Sequence, residues 1–340
     1  MGDGTLNIEA GGVVSNTVGR IGHYSGSTGI AVVSGTGSKW NNSWRLIVGD
    51  SGSGTLNITD GGVVSNTSNV CDGFIGRYSS STGEATVTGS GSWWRNSDDL
   101  WIGGNDSAAG GAGTLNLYDS GLVTVTNITK LWDTGTLNLD GGSLTTGSFD
   151  NSELGTLNFH DGTLTVNGAG GVFNPGTTDF TIDGLAADDL PELVIANTAS
   201  ATLSGKLTVG FSNRGQLIVK AGSVVSNMKG HIGKRSGSTG VATVKGSGSQ
   251  WNNASLWVGR AGTGTLNVTA GGVVSTIHGY IGRAGGSTGE ATVTGSGSQW
   301  NNSDRLVVGR SGDGTLIVEA EGVVSNSLSL IGRNSGSTGM

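Results

Sequence analysis

One feature limits what this chain can fold into: it repeats. GTLNI or a close relative begins at Gly4, Gly54, Gly264 and Gly314. Each such unit divides again. GTLNVTAGG from Gly264 and GEATVTGSG from Gly289 agree at their first, fifth, sixth and ninth positions. The underlying period is therefore about 25 residues, in two alternating versions. With the opening Gly as position 1, repeats start at Gly4, Gly29, Gly54, Gly83, Gly113, Gly135 and Gly155, and resume at Gly215, Gly240, Gly264, Gly289 and Gly314. The fifth position is apolar throughout, from Ile8 and Val33 to Val293 and Val318.

Composition says what kind of repeat this is. The chain has 66 Gly but only 2 Pro, without the strict triplet of collagen, and 13% of its residues are charged. Apolar and polar residues alternate over short patches bounded by Gly, Asn and Ser, as in Ala291–Thr294. No stretch has a helical period. Three short strands and three Gly-rich turns per period predict an all-β fold, a single-stranded parallel β-helix (β-solenoid) of about 25 residues per coil and roughly 14 coils. Residues 1–112 read as regular coils, 113–214 as shorter and irregular coils of the same solenoid, and 215–340 as regular coils again. Insertions are expected at Val70–Phe74 and Asn105–Gly111. The chain opens in mid-repeat and ends on GSTG plus Met340, which reads as a section of a longer protein.

Equivalent positions in successive coils lie one strand spacing apart, so the alignment predicts which side chains meet. Position 3 alternates between Leu and Ala, from Leu6 and Ala31 to Ala291 and Leu316. Position 12 alternates in the opposite sense between Ser and Trp, with Trp40, Trp94, Trp251 and Trp300 falling in the Ala coils. Constant core volume predicts inward Trp rings, each between Ser-bearing coils, with the indole N–H on a turn carbonyl. Position 13 predicts a column of Asn16, Asn41, Asn66, Asn227, Asn252, Asn301 and Asn326, whose amides bond along the stack.

Signals for chemistry are few. A base follows Gly in one turn, at Arg77, Lys234, Arg260, Arg283, Arg310 and Arg333; His23 and Asp50 hold the matching places in the first coils. Arg260, Arg283, Arg310 and Arg333 are the candidate ligand-binding residues, a stripe suited to acidic glycans or lipid head groups. The net charge of −7 argues against nucleic acid as a partner. One cysteine excludes a disulfide framework and a Cys-based zinc site. No apolar run is long enough for a transmembrane helix, and no secretory signal precedes the first repeat. The four histidines share no coil position. The acids Asp98, Asp99, Asp106, Asp183, Asp188, Asp189 and Glu192 show no catalytic spacing. We expect no catalytic residue, metal or cofactor, and no enzymatic activity.

The repeats GTLNIxxGGVVSN, IGRxxGSTGxATVTGSGSxWNNS and LxVGxxGxGTL resemble the passenger repeats of bacterial autotransporter proteins, large surface adhesins in particular. The resemblance covers nearly the whole chain. It implies a right-handed β-helix on the cell surface or outside the cell, structural or adhesive in role, with cell-surface glycans or further copies of itself as partners. End-to-end stacking into fibres is the form of self-association expected. The alternatives are a β-helix that binds or degrades carbohydrate, as tailspikes do, and an ice-binding solenoid with outward Thr pairs such as Thr86/Thr88 and Thr292/Thr294.

Overall fold

A computed structural model describes residues 2–68 and 72–340. The chain is an all-β parallel solenoid, and no helix occurs among these residues. It divides into two compact units: the described residues of 1–168 with 174–176, and 169–173 with 177–340. Val70 and Cys71 of the expected insertion lie outside the described residues.

Regular coils contribute three strands in the first unit; in most coils of the second unit the last two merge into one long strand, such as Val224–Ile232. In the first unit the GTLNI strands form a seven-stranded parallel sheet that runs from Asp3–Ile8 to Thr156–Phe159. Its register follows the opening glycines: Gly4 pairs with Gly29, Gly29 with Gly54, Gly54 with Gly83, and so on to Gly135. In the second unit six strands do the same, from Glu192–Ile195 to Asp313–Glu319. Seven and six make thirteen coils, against about fourteen expected. Gly339 and Met340 begin to pair with Gly314 and Leu316.

Along the buried strands alternate residues point inward and stack on the equivalent residues of neighbouring coils. Ala31, Leu56, Ala85, Leu115 and Leu137 form one buried column of the first unit, and Leu217, Ala242, Leu266 and Ala291 its counterpart in the second. No coil can bury these side chains alone; the neighbouring coils do it. The irregular segment is drawn into the same scheme. Leu193 pairs with Leu217 and Ile195 with Val219, so Glu192–Val209 makes a coil without the GTLNI sequence.

Trp40, Trp94, Trp251 and Trp300 are buried in the core. Their neighbours differ from the expected ones. Trp40 pairs with Val14 and Val64, and Trp251 with Val225 and Val274, so Val rather than Ser flanks each ring. The Trp coils carry one extra turn residue, a buried serine: Ser38, Ser92, Ser249 or Ser298. Its hydroxyl accepts the backbone N–H of a glycine in the neighbouring shorter turn, as Ser249 does from Gly222 at 3.0 Å and Ser298 from Gly271 at 3.0 Å. The extra residue slides everything after the turn by one position.

The Asn column slides with it. Asn16 pairs with Asn42, and Asn42 with Asn66, whereas Asn41 pairs with Ser15 and Ser65. Asn252 and Asn301 likewise sit beside Ser226 and Ser275 on the outward side. The buried column is therefore built from the second Asn of each WNN. Asn16 Nδ2 donates to Asn42 Oδ1 (2.6 Å), Asn66 to Asn96 (2.6 Å) and Asn227 to Asn253 (2.7 Å). The indole N–H of Trp40 reaches Asn16 Oδ1 (2.6 Å) and that of Trp251 reaches Asn227 Oδ1 (2.7 Å), so in these two coils a side-chain amide replaces the expected turn carbonyl, whereas the indole N–H groups of Trp94 and Trp300 have no partner. Asn326 bonds Ser329 instead.

Candidate functional site

The densest group of chemically capable side chains lies on an outer face of the second unit. Strands Ser200–Val209, Val224–Ile232, Gln250–Val258 and Val273–Ile281 pair in parallel there, so Thr208, His231, Trp257 and Tyr280 fall in one outward column. The three rings stack. His231 lies 4.7 Å from Trp257 at 12°, and Trp257 lies 5.8 Å from Tyr280 at 6°.

Cations flank this column on both sides. Lys206 and Lys229, two residues before Thr208 and His231, pair with each other along one side. Lys234, Arg260, Arg283 and Arg310 occupy the turn on the other. The backbone of that turn fixes their alignment: Arg260 N–H donates to Gly233 C=O, Arg283 to Gly259 and Arg310 to Gly282, each one coil back. Lys206, Lys229, His231, Lys234, Trp257, Arg260 and Arg283 line an open groove of about 400 Å³. Arg283 sits 5.4 Å above the Trp257 ring, and Lys234 4.4 Å above Phe211.

The groove is electrostatically one-sided. Among the described residues, Asp179 is the one carboxylate in an ion pair with its cations, 2.8 Å from Lys206 Nζ. Burial, followed by the charges of Arg260 and Lys206, lowers the Lys234 pKa. Burial followed by Arg260 and Arg310 does the same to Arg283. His231 is 4% exposed, and neither ring nitrogen has a hydrogen-bond partner. Burial and the charges of Arg260, Lys234, Arg283 and Lys206 push its pKa down to about 3. The imidazole is neutral at ordinary pH and surrounded by positive charge.

The first unit shows the compensated version of the same turn. Asp50, 1% exposed, stands where the second unit carries a base. It accepts from Arg20 at 2.9 Å, contacts His23 at 2.7 Å and lies 3.4 Å from Arg77. Here the like charges of neighbouring coils are bridged by an acid built into the stack.

Of the residues singled out from sequence, Arg260 and Arg283 lie in the groove, Arg310 continues its turn column, and Arg333 is exposed one coil further on. The Trp and Asn ladder residues are not part of it. The outward Asn252 and Asn301, with Ser226, Ser275 and the exposed Met228 and Ile277, line a separate open groove of about 700 Å³. Three of the acids serve the backbone. Asp183 accepts N–H groups of Phe211, Ser212 and Asn213, Asp189 those of Leu185 and Ala186, and Asp99 that of Ile128. Asp98 accepts from the Asn127 amide and Asp106 from Ser107. No group of three or more metal-ligating side chains occurs among the described residues. The Thr pairs make no flat array, because Thr86 sits between Asn57 and Asn116, and Thr292 between Asn267 and Ile317.

Sequence reasoning missed Lys206, Lys229, His231, Trp257 and Tyr280. The signal was the stretch Lys229-Gly-His231-Ile-Gly-Lys234, whose alternation puts Lys229 and His231 on one strand face.

Fold and surface together define a parallel β-solenoid with a filled interior and a cationic outer groove. No protein-family model matches the chain, and no curated protein matches it. Among solved structures, a crystal structure of a hyper-glycosylated TibA fragment, its glycosylation catalysed by TibC, aligns over 99% of each chain at 16% identity and a TM-score of 0.25. At that TM-score the likeness bears no weight for this chain.

Proposed function

We propose that this chain is a structural and adhesive β-solenoid that acts at the cell surface or outside the cell, and that it makes its contacts through its outer faces rather than in an interior site. The observation behind this reading is the filled core. The inward columns of the regular coils are filled by apolar side chains and by Asn and Ser side chains that bond between coils, and the spaces left are open grooves on the surface. Three of the acids, Asp183, Asp189 and Asp99, are engaged with loop backbone. The reading has the chain work by presentation and binding, without turnover.

The test is retention under flow. Beads carrying the chain are passed over cell monolayers, beside beads carrying an unrelated acidic protein of similar size. Greater retention of the chain-coated beads supports adhesion, and equal retention sinks it. Self-association belongs to the same reading, because a parallel ladder offers a strand edge to a second copy. Sedimentation velocity over a concentration series reads it directly: a sedimentation coefficient that does not change with concentration removes it.

A further inference from the structure

We propose that the groove formed by Lys206, Lys229, His231, Lys234, Arg260 and Arg283 binds the sulfate or carboxylate groups of an acidic polysaccharide. The proposal rests on the reading that the outer faces do the binding, and it adds a place and a chemistry.

The first support is charge. A chain of net charge −7 gathers five cations in this one groove, and a single exposed acid, Asp179, offsets them. Stacked like charges one strand spacing apart repel each other unless an anion lies between them. The first unit supplies that anion from its own sequence, as Asp50; the second leaves the place to a ligand. The lowered pKa values of Lys234 and Arg283 point the same way, since each would be relieved by a bound anion.

The second support is independent of charge. His231 is buried against the groove with both ring nitrogens unpartnered, a polar group aimed among the cations. A ring N–H at that point is a donor for an oxyanion held by Arg260 and Lys234.

The shape of the site favours a polysaccharide. Its cations recur once per coil, about 4.8 Å apart along the stack, which is comparable to the advance of one sugar ring along an extended chain. Successive anionic sugars would meet successive bases. Trp257 has His231 stacked on one side and Tyr280 on the other, so it offers no free platform for a nucleobase. A concave groove also fits a single chain better than a flat bilayer surface.

The experiment titrates the full chain with dextran sulfate, neutral dextran, a single-stranded oligonucleotide and anionic lipid vesicles at low salt. Three variants are compared: Arg260→Gln with Arg283→Gln, His231→Phe, and Lys220→Gln with Lys245→Gln. The last removes two charges from a different face of the same unit, and circular dichroism checks that each variant is folded. We expect dextran sulfate to bind and dextran not to. The arginine pair should weaken binding at least about tenfold, His231→Phe should weaken it severalfold, and the lysine pair should leave it within about twofold. The proposal is overturned if dextran sulfate does not bind, if the two charge-removal pairs act alike, or if the oligonucleotide or the vesicles bind more tightly. Bead retention is scored on the same variants. Groove-dependent dextran sulfate binding without retention would remove the adhesive reading and leave the site; retention without polyanion binding would do the reverse.

Discussion

The indole N–H of Trp251 donates to Asn227 Oδ1 at 2.7 Å, and the same Asn227 passes its own amide N–H to Asn253 on the neighbouring coil. One amide thus serves a buried ring of one coil and the polar column that joins two. Trp40 and Asn16 repeat the arrangement in the first unit.

Removal of that amide strands a buried donor. Asn227→Ala is expected to cost about 1–3 kcal/mol, the penalty for an unsatisfied buried group. Asn252→Ala, on the outward side of the same strand, should cost under about 0.5 kcal/mol. Urea denaturation followed by circular dichroism separates the two. Similar midpoints would mean that the buried column is not what holds these coils in register.

Room for the tryptophan comes from a glycine on the preceding coil. A Cβ at Gly230 would stand 2.6 Å from Asn253 Oδ1 and 3.1 Å from the Trp251 ring. Gly230→Ala therefore overpacks the core and should cost about 1–3 kcal/mol. At Gly285 a Cβ would meet only a carbonyl oxygen 3.9 Å away, so Gly285→Ala should be neutral or slightly stabilising. Thermal melts of the two variants give the comparison, and a neutral Gly230→Ala would refute the packing argument.

His231 makes stability depend on pH. Its pKa falls from 6.5 unfolded to about 3 folded, through burial and the charges of Arg260, Lys234, Arg283 and Lys206. The folded state binds the proton less well, so its contribution is complete above about pH 6.5 and is lost as the pH falls toward 3. Lys229 faces the same groove and adds to the repulsion. Melting temperature should drop on acidification through this window, and His231→Phe should flatten that drop. An unchanged profile in the variant would exclude His231 as its source.

Asp72 acts in the opposite direction in the first unit. Burial raises its pKa to about 6; Arg45 opposes the shift, and Asp99 and Asp98 add to it. A carboxyl that prefers its proton when folded stabilises below the unfolded value of 3.8, and that stability is lost as the pH rises toward 6. Asp72→Asn, which mimics the protonated form, should raise the melting temperature at pH 7 relative to its effect near about pH 4. A variant that destabilises equally at both values would show that the carboxyl has some other role.

The repeat, the apolar columns of the GTLNI strands and the burial of the four tryptophans were legible in the sequence, because a solenoid repeats its contacts as often as its residues. Residue counting failed where the two versions of the coil differ in turn length. Ser249 can be recognised as an extra turn residue only when its hydroxyl is seen on the Gly222 N–H, and that one residue decides that Val, not Ser, lies against Trp251 and that Asn253, not Asn252, continues the column. The groove was less legible still. Lys206 belongs to the irregular stretch, Lys229 and His231 to a strand, and Arg260 and Arg283 to turns, so no single motif holds them. Sequence alone determined the apolar residues that each GTLNI-type strand buries, since there burial follows a short local pattern. Only the tertiary structure decided what the outer face presents, because those neighbours are set by the register between coils.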